Sequence, residues 1–193
     1  MKSPVFIIEH LEPELWEWCL IEYQHISQIA GKNNVWFTNV KKENVKKLKK
    51  YGRVFSKSIK TLCLKNLAVL EPKAKKFLTP SRAKEFNYFV FGGILGDNPP
   101  KNRTTFELAQ FLKNSEAFNI GKEQMSTDNA VFVVKQIING ANISEINFQD
   151  NIDIKINDIE STILPYRYVV LRGRPLISKD LIAYLKKENK KKF

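Results

Sequence analysis

Three glycines stand within five residues where an apolar run of the chain ends. Residues 88–91 are continuously apolar and aromatic, which predicts a short buried strand, and Gly92, Gly93, Gly96 and Asp97 follow it. Glycines let the backbone take positive φ and let a ligand approach without meeting a Cβ atom. In α/β proteins, ligands bind beyond the carboxyl ends of strands. By themselves, these residues are as typical of a tight turn as of a binding site.

Two further loops follow predicted strands. The apolar run 67–70 ends at Glu71-Pro72, and Ile120-Gly121 leads through residues 122–126 to the start of a helix. Neither the GxGxxG pattern of dinucleotide-binding proteins nor the GK[ST] of a phosphate-binding loop is present. The three loops therefore predict a ligand site at one end of a sheet, but not a nucleotide site of those two kinds.

The first part of this basic protein is its acidic segment. Residues 1–40 carry five acidic and two basic side chains. Glu22 falls on the apolar stripe of a predicted helix, whose other members are Leu15, Trp18, Cys19, Ile26 and Ile29. A carboxylate on a mainly apolar face needs a partner or a function, so either a buried ion pair or a role in chemistry is expected for Glu22.

The elements that position these loops alternate between strand and helix. We predict strands at 5–8, 35–38, 67–70, 88–91 and 166–171, and an edge strand at 152–156. We predict helices at 12–29, 41–51, 80–86, 129–139 and 178–187, and a further helix after Thr104 or Thr105. This order predicts an α/β fold with a mostly parallel sheet and helices on both faces. We expect one domain over residues 1–193, with a lysine-rich tail from about 186 that frays.

The net charge of +12 is confined mainly to one region. Residues 41–87 carry 15 basic and 3 acidic side chains, which is typical of contact with RNA or of a lysine-rich solvated surface. No apolar stretch approaches the ~20 residues of a membrane span. Two cysteines and two histidines give no disulfide framework and no metal cluster. We expect a cytoplasmic protein that binds no metal and no membrane.

Taken together, the segments resemble the SPOUT-class (α/β-knot) methyltransferases, and more narrowly the branch that methylates an arginine of a small-subunit ribosomal protein. The likeness is carried by Ile7-Ile8-Glu9-His10 with Glu12, Trp18, Glu22-Tyr23, residues 89–97, Pro99-Pro100, Arg103-Thr104, Gly121, Gln124-Met125, Thr127-Asp128, and Pro165, Arg167 and Tyr168.

The resemblance implies a C-terminal trefoil knot whose loops hold S-adenosylmethionine, with S-adenosylhomocysteine as product. The implied cofactor residues are Leu70, Glu71, Pro72, Phe91, Gly92, Gly93, Ile94, Gly96, Asp97, Ile120, Gly121, Gln124, Met125, Ser126 and Thr127. It also implies a ribosomal protein as substrate, and it favours a monomer over a homodimer.

An arginine acceptor stays protonated in water, so a carboxylate must orient it. Our candidates are Glu9, Asp97 and Glu22, with Glu12 as a further carboxylate of the same segment. Two alternatives remain at this point. The basic region 41–65 favours an RNA methyltransferase of the same fold, and a non-catalytic ribosome-binding module would retain only the shape of the cofactor loop.

Overall fold

A six-stranded parallel sheet organises the described part of the chain, which in this computed structural model comprises residues 3–96, 99, 101–157 and 160–190. The strand order is β3-β2-β1-β5-β4-β6, and every neighbouring pair is parallel. The strands are β1 (Val5–His10), β2 (Val35–Thr38), β3 (Arg53–Val54), β4 (Leu67–Leu70), β5 (Tyr88–Gly93) and β6 (Ser115–Phe118). The mostly parallel α/β fold predicted from the sequence is confirmed.

Alternate residues of the central strands bury against two faces of the sheet. Phe6 and Ile8 point to one face and Ile7 to the other, as the two-residue period of a strand requires. The first face carries the long helices. The second is covered by short segments around Ile59 and Leu108. The α-helices are α1 (Glu17–Ala30), α2 (Val45–Leu48), α3 (Pro80–Ala83), α4 (Arg103–Glu107), α5 (Thr127–Ile138) and α6 (Lys179–Lys190).

The C-terminal part forms its own antiparallel sheet rather than extending the parallel one. Its strands are β7 (Phe148–Lys155), β8 (Ser161–Leu171) and β9 (Arg174–Pro175). The edge strand expected at 152–156 corresponds to β7, which lies at one edge of this small sheet, and its residues Ile152 and Ile154 pack against α6 in a separate cluster. Trp18 packs against the same cluster. This cluster joins the small sheet to α1.

Two predicted helices differ from the structure for reasons that lie beyond local sequence. The first begins at Glu17 rather than near Glu12, because the Glu12 carboxylate is held by the Leu95 amide and the Arg103 guanidinium, both at 2.8 Å. The basic helix expected at 41–51 is reduced to a 3₁₀ turn and the four residues of α2. Lysines four residues apart in this segment repel one another along a helix.

Other local signals are confirmed. β2 and β4 have the predicted bounds. The Thr79 hydroxyl accepts a hydrogen bond from the Arg82 amide at 3.3 Å, as an N-cap should. The helix expected after a Thr104 or Thr105 cap begins earlier, at Arg103, so both threonines lie inside α4 and neither is its cap. No helix within the described ranges is long and apolar enough to cross a bilayer.

Candidate functional site

The three predicted loops meet in a cleft of about 400 Å³ at the carboxyl ends of β4, β5 and β6. This volume lies in the usual range for a small-molecule site. The lining includes Glu71 and Pro72 after β4, Gly92, Ile94 and Gly96 in and after β5, and Gln124, Met125 and Thr127 before and at the start of α5. The sequence analysis assigned no cofactor role to other lining residues, among them Lys101, Arg103, Thr104, Tyr166 and Arg167.

A narrower slot of about 90 Å³ extends the cleft toward the sheet. Its walls are about equally polar and apolar, and the apolar side chains include Leu70, Phe91, Ile120 and Ala130. The nearly buried Glu71 stands where slot and cleft join. Its carboxylate accepts hydrogen bonds from the Lys73 amide and the Thr105 hydroxyl, both at 2.8 Å. The slot suits a flat ring system, and Glu71 can accept hydrogen bonds from hydroxyl groups at its entrance.

The glycine loop is fixed at both ends by side chains from distant parts of the chain. Glu12 accepts from the Leu95 amide and pairs with Arg103, whose guanidinium also donates to the Leu11 carbonyl at 2.9 Å. The Tyr166 hydroxyl donates to the Gly96 carbonyl at 2.6 Å. Hydrogen bonds to Glu107 and Glu12 raise the pKa of Arg103 further above its usual value. The loop is thus held in place before any ligand binds.

Not every predicted cofactor residue faces the cleft. Twelve of them line the cleft or its slot, namely Leu70, Glu71, Pro72, Phe91, Gly92, Ile94, Gly96, Ile120, Gly121, Gln124, Met125 and Thr127. Ser126 lines an adjoining pocket instead. Gly93 is buried and lines none of these cavities, and Asp97 lies outside the described residues.

Gly93 is needed for packing inside the protein. A Cβ atom there would lie 2.3 Å from the Tyr23 hydroxyl oxygen and 3.0 Å from the Glu9 carbonyl oxygen. We therefore expect Gly93→Ala to lower the free energy of unfolding by about 1–3 kcal/mol, the usual cost of overpacking. Chemical denaturation measures this directly. In a Tyr23→Phe background the loss should be smaller, and an equal loss in both backgrounds would contradict the assigned clash.

A second pocket, of about 170 Å³, adjoins the cleft. Ile94, Gly96, Met125 and Tyr166 line both cavities, which therefore meet at these residues. The second pocket has aromatic and aliphatic sides and a polar base. Its sides are formed by Trp18, Leu95, Tyr166, Tyr168, Ile177 and Leu181, and its polar lining by Glu22, Ser126 and Asp128. We call this space the acidic pocket.

Glu22 reaches the acidic pocket from the buried side of α1. The residue is 6% exposed, and its carboxylate accepts a hydrogen bond from the Thr127 amide at 2.7 Å. Burial, together with the negative charge of Asp128, raises the pKa of Glu22 well above that of an ordinary carboxyl group. A cation in the pocket would therefore find a carboxylate ready to ionise beside it.

Glu9 occupies a different environment from Glu22. It is fully buried at the end of β1, where it accepts hydrogen bonds from the Thr38 hydroxyl at 2.5 Å, the Ser58 hydroxyl and the Ile59 amide at 3.0 Å. In the described part of the chain it lines neither the cleft nor the acidic pocket. These bonds tie β1 to β2 and to the following loop, which accounts for its burial.

Comparison with known proteins adds a second line of information. A family model described as "Protein arginine N-methyltransferase SFM1-like" matches residues 5–192. The chain is 32% identical over 202 residues to protein arginine N-methyltransferase SFM1 of Saccharomyces cerevisiae, covering 95% of each protein.

Solved structures agree with the sequence match. The yeast SFM1 structure with S-adenosylmethionine is 31% identical, has a TM-score of 0.88, and is matched over 97% of this chain and 92% of that chain. The yeast structure with S-adenosylhomocysteine gives 30% identity and a TM-score of 0.86, with 94% of each chain covered. A dual-specific Trm10 of Thermococcus kodakaraensis, at 15% identity and a TM-score of 0.57, covers 74% of this chain and 96% of its own, and shares the fold alone.

Proposed function

The chain belongs to the family of SFM1-like protein arginine N-methyltransferases, and we propose that it transfers a methyl group from S-adenosylmethionine to an arginine side chain of a ribosomal protein. The observation that carries this proposal is that the cleft and the acidic pocket adjoin and share lining residues. A methyl donor in the cleft and a cationic acceptor in the acidic pocket would then meet beside the glycine loop, Met125 and Tyr166.

The residues of the cleft fit S-adenosylmethionine, which supplies a methyl group on a sulfonium centre when bound. The slot suits the adenine ring, and Glu71 suits the ribose hydroxyls. Lys101 and Lys122 line the outer cleft, where an ammonium group can pair with the carboxylate of the methionine part. Within the described residues, no group of three or more His, Cys, Asp or Glu side chains could hold a metal ion.

Glu22 is the carboxylate we assign to the acceptor. An arginine side chain is cationic at neutral pH, and a carboxylate orients its guanidinium through charge-assisted hydrogen bonds. Holding two reactants in line can supply several kcal/mol, up to ~7–11 in well-oriented cases. The acidic pocket has the depth and aromatic walls for the aliphatic stem of arginine.

Transfer of a labelled methyl group tests the function. Radiolabelled S-adenosylmethionine and the protein are incubated with ribosomal proteins from cells that lack the enzyme, and hydrolysed products are examined for methylarginine. We expect label in a small-subunit protein that is lost on protease treatment. Label that survives protease but not ribonuclease would instead identify an RNA methyltransferase, and undetectable binding of S-adenosylmethionine by calorimetry would favour the non-catalytic module.

We propose further that the basic region 41–65 contacts ribosomal RNA around the substrate. It carries ten basic side chains and one acidic one, and all ten are exposed. The Arg53 guanidinium carbon lies 5.2 Å from the centroid of the half-buried Trp36 ring. Such a surface suits phosphate contacts made without base-specific readout.

Reversing three of these charges should weaken binding to the ribosomal particle and leave catalysis on free protein unchanged. For the triple variant Lys46→Glu, Lys49→Glu, Lys50→Glu we expect the salt dependence of binding to small subunits to flatten, by roughly one unit of log–log slope for each lost phosphate contact. Binding is measured at several salt concentrations. The same change at Lys75, Lys84 and Lys113 is the control, and an equal loss there would remove the assignment to this region.

The trefoil knot, the single domain and the monomeric state are also proposed. The knot is supported by the segment around Asn119, which bonds to the loop after β4: its amide donates to the Lys76 carbonyl at 2.8 Å, and its side chain donates to the Ala74 carbonyl at 2.6 Å. The monomeric state is proposed from the resemblance given in the sequence analysis. A crystal structure traced through residues 118–129 tests the knot, and light scattering tests the monomer.

We propose a cytoplasmic location, which imaging of the tagged protein would test.

A further inference from the structure

A cavity of about 650 Å³ lies at the amino ends of four neighbouring strands, at the opposite end of the strands from the cleft. Its strand residues are Val5 of β1, Trp36 of β2, Arg53 of β3 and Tyr88 of β5, and the segments that precede these strands add Lys32, Asn33, Asn34 and Asn87. We call this space the amino-end pocket. None of these residues takes part in the proposed methyl transfer, so the pocket is available for a separate ligand.

Strand pairing places the side chains of this pocket on one face of the sheet. Trp36 pairs with Arg53, and Val5 pairs with Tyr88. Val5, Trp36 and Tyr88 pack against the cluster that contains Ile7, on the face that does not carry the long helices, and both rings are half-buried. An accessible sheet face with aromatic side chains is the kind of surface on which RNA-recognition modules stack bases.

The Arg53 guanidinium is held over rings rather than by a carboxylate. Its central carbon lies 5.2 Å from the centroid of the Trp36 ring and 4.8 Å from that of the Phe55 ring. Trp36 in turn contacts Phe55 and Tyr88, with ring centroids 5.0 and 5.5 Å away. In the part of the chain that the structure describes, Arg53 forms no ion pair. The rings therefore orient a guanidinium whose donors stay available to an anion.

The charges and polar groups around the rings suit one nucleotide unit. Lys32 is exposed and supplies a second cation, and no Asp or Glu is among the described residues that line the pocket. A phosphate group satisfies both cations, whereas an acidic peptide would leave the ring faces uncovered. The amides of the three asparagines can donate and accept hydrogen bonds, as the edge of a base requires. Arg53 also belongs to the basic region 41–65, so the pocket continues the surface proposed for RNA.

We propose that the amino-end pocket binds one nucleotide of single-stranded RNA, with its phosphate on Lys32 and Arg53 and its base against Trp36 and Tyr88. The inference rests on the proposed contact with ribosomal RNA and deepens it by naming a site and a preference for single strands. Bases in a duplex are stacked and paired, whereas unpaired bases can turn out onto aromatic side chains. Since the pocket and the cleft lie at opposite ends of the strands, RNA can stay bound while the methyl group is transferred.

Trp36→Leu separates base stacking from the attraction of opposite charges. The full-length variant and the unmodified protein are titrated with a short labelled oligoadenylate and, separately, with labelled heparin, which is a polyanion without bases. We expect the affinity for oligoadenylate to fall about 5- to 100-fold, the range for losing one base stack, and the affinity for heparin to change by less than about twofold. An equal loss for both ligands, or an unchanged affinity for oligoadenylate, would overturn the inference.

Trp16→Leu is the matched control, because Trp16 is an exposed tryptophan that does not line the pocket. This variant should bind oligoadenylate and heparin as the unmodified protein does. Methyl transfer to free ribosomal proteins should be the same for Trp36→Leu as for the unmodified protein.

A measurement on the unmodified protein covers the case in which Trp36→Leu does not fold. The indole signal of Trp36 is followed by NMR, after sequential assignment, during titration with oligoadenylate, with its duplex with oligouridylate, and with adenosine monophosphate. We expect the signal to shift with oligoadenylate at concentrations at least about tenfold lower than with the other two ligands. No shift with oligoadenylate, or an equal response to the duplex, would overturn the inference. An equal response to adenosine monophosphate would overturn the assignment to RNA in favour of a free nucleotide.

Failure of the proposed function has a different signature. An unmodified protein that binds oligoadenylate through Trp36 but transfers no methyl group would reject the proposed function and leave the amino-end pocket as an RNA site. Methyl transfer together with an unchanged affinity of Trp36→Leu for oligoadenylate would overturn the assignment of the pocket alone.

Discussion

Replacing Gly96 with alanine should lower the affinity for S-adenosylmethionine about 10- to 100-fold. A Cβ atom at this position would lie 2.4 Å from Nε2 of Gln124 and 2.5 Å from Cε1 of Tyr166. Both side chains line the cleft, and Tyr166 also donates to the Gly96 carbonyl. The added methyl group must displace them into the space we assign to the ligand, and overpacking typically costs ~1–3 kcal/mol.

Calorimetric titration with S-adenosylmethionine measures the effect, and Gly92→Ala provides a graded comparison. A Cβ atom at Gly92 would meet the end of the Ile94 side chain at 3.0 Å and the Thr104 hydroxyl at 3.1 Å. These atoms can move by a few tenths of an ångström, so the loss should be smaller than for Gly96→Ala. If Gly96→Ala binds with unchanged affinity, the glycine loop is not a wall of the cofactor site.

The parts of the fold that were predicted correctly are those that local sequence determines. The apolar runs of β2 and β4 form strands whichever partner they meet. Thr79 followed by Pro80 starts a helix because the hydroxyl caps an amide three residues later and proline suits the first turn. Glu22 was selected as a candidate because a carboxylate on an apolar stripe is unusual, and its role in chemistry stays a prediction.

The parts that were not predicted depend on contacts between distant residues. Glu12 was interpreted as the start of a helix, since acidic residues and a proline suit that position. In the structure its carboxylate binds Leu95 and Arg103, which lie 83 and 91 residues further along the chain. No local pattern records such a contact, and it moves the start of α1 to Glu17.

The acidic pocket illustrates the same limit at the site. Asp128 reads in the sequence as an ordinary acidic residue in a first helical turn, which the helix dipole alone would explain. Only the packing of α5 on α1 brings it beside Glu22 and His25. The aromatic walls come from a third region, since Tyr166 and Tyr168 lie on β8. The loops that line the cleft were predictable as a set, whereas the acidic pocket required the tertiary structure.

Glu22→Gln should abolish most of the turnover while leaving the cofactor site intact. The amide oxygen of glutamine can still accept the Thr127 amide, so the local structure is kept. The variant lacks the negative charge that we propose orients the guanidinium and accepts its proton. A positioned proton-transfer group contributes about 10²- to 10⁴-fold to rate, so kcat should fall by that range with unchanged affinity for S-adenosylmethionine.

Stability should change in the opposite direction from activity. Burial raises the pKa of Glu22 in the folded protein above its value in the unfolded chain. At pH values above the pKa of Glu22 in the unfolded chain, the folded protein therefore binds more protons than the unfolded chain. The free energy of unfolding falls as pH rises from that pKa to the higher pKa of Glu22 in the folded protein. Glutamine does not titrate, so the variant lacks this loss of stability at high pH. The melting temperature of Glu22→Gln minus that of the unmodified protein should therefore be more positive at pH 8 than at pH 5. Thermal scans at both pH values measure this difference.

Two further variants make the assignment specific. Glu17→Gln changes an exposed glutamate of the same helix and should leave both kcat and the pH dependence of stability unchanged. Glu9→Gln weakens the bonds to Thr38, Ser58 and Ile59 and should lower stability. If Glu9→Gln removes turnover in a fully folded protein while Glu22→Gln retains it, the acceptor carboxylate is Glu9, because a residue that only supports packing could not stop the reaction without destabilising the fold.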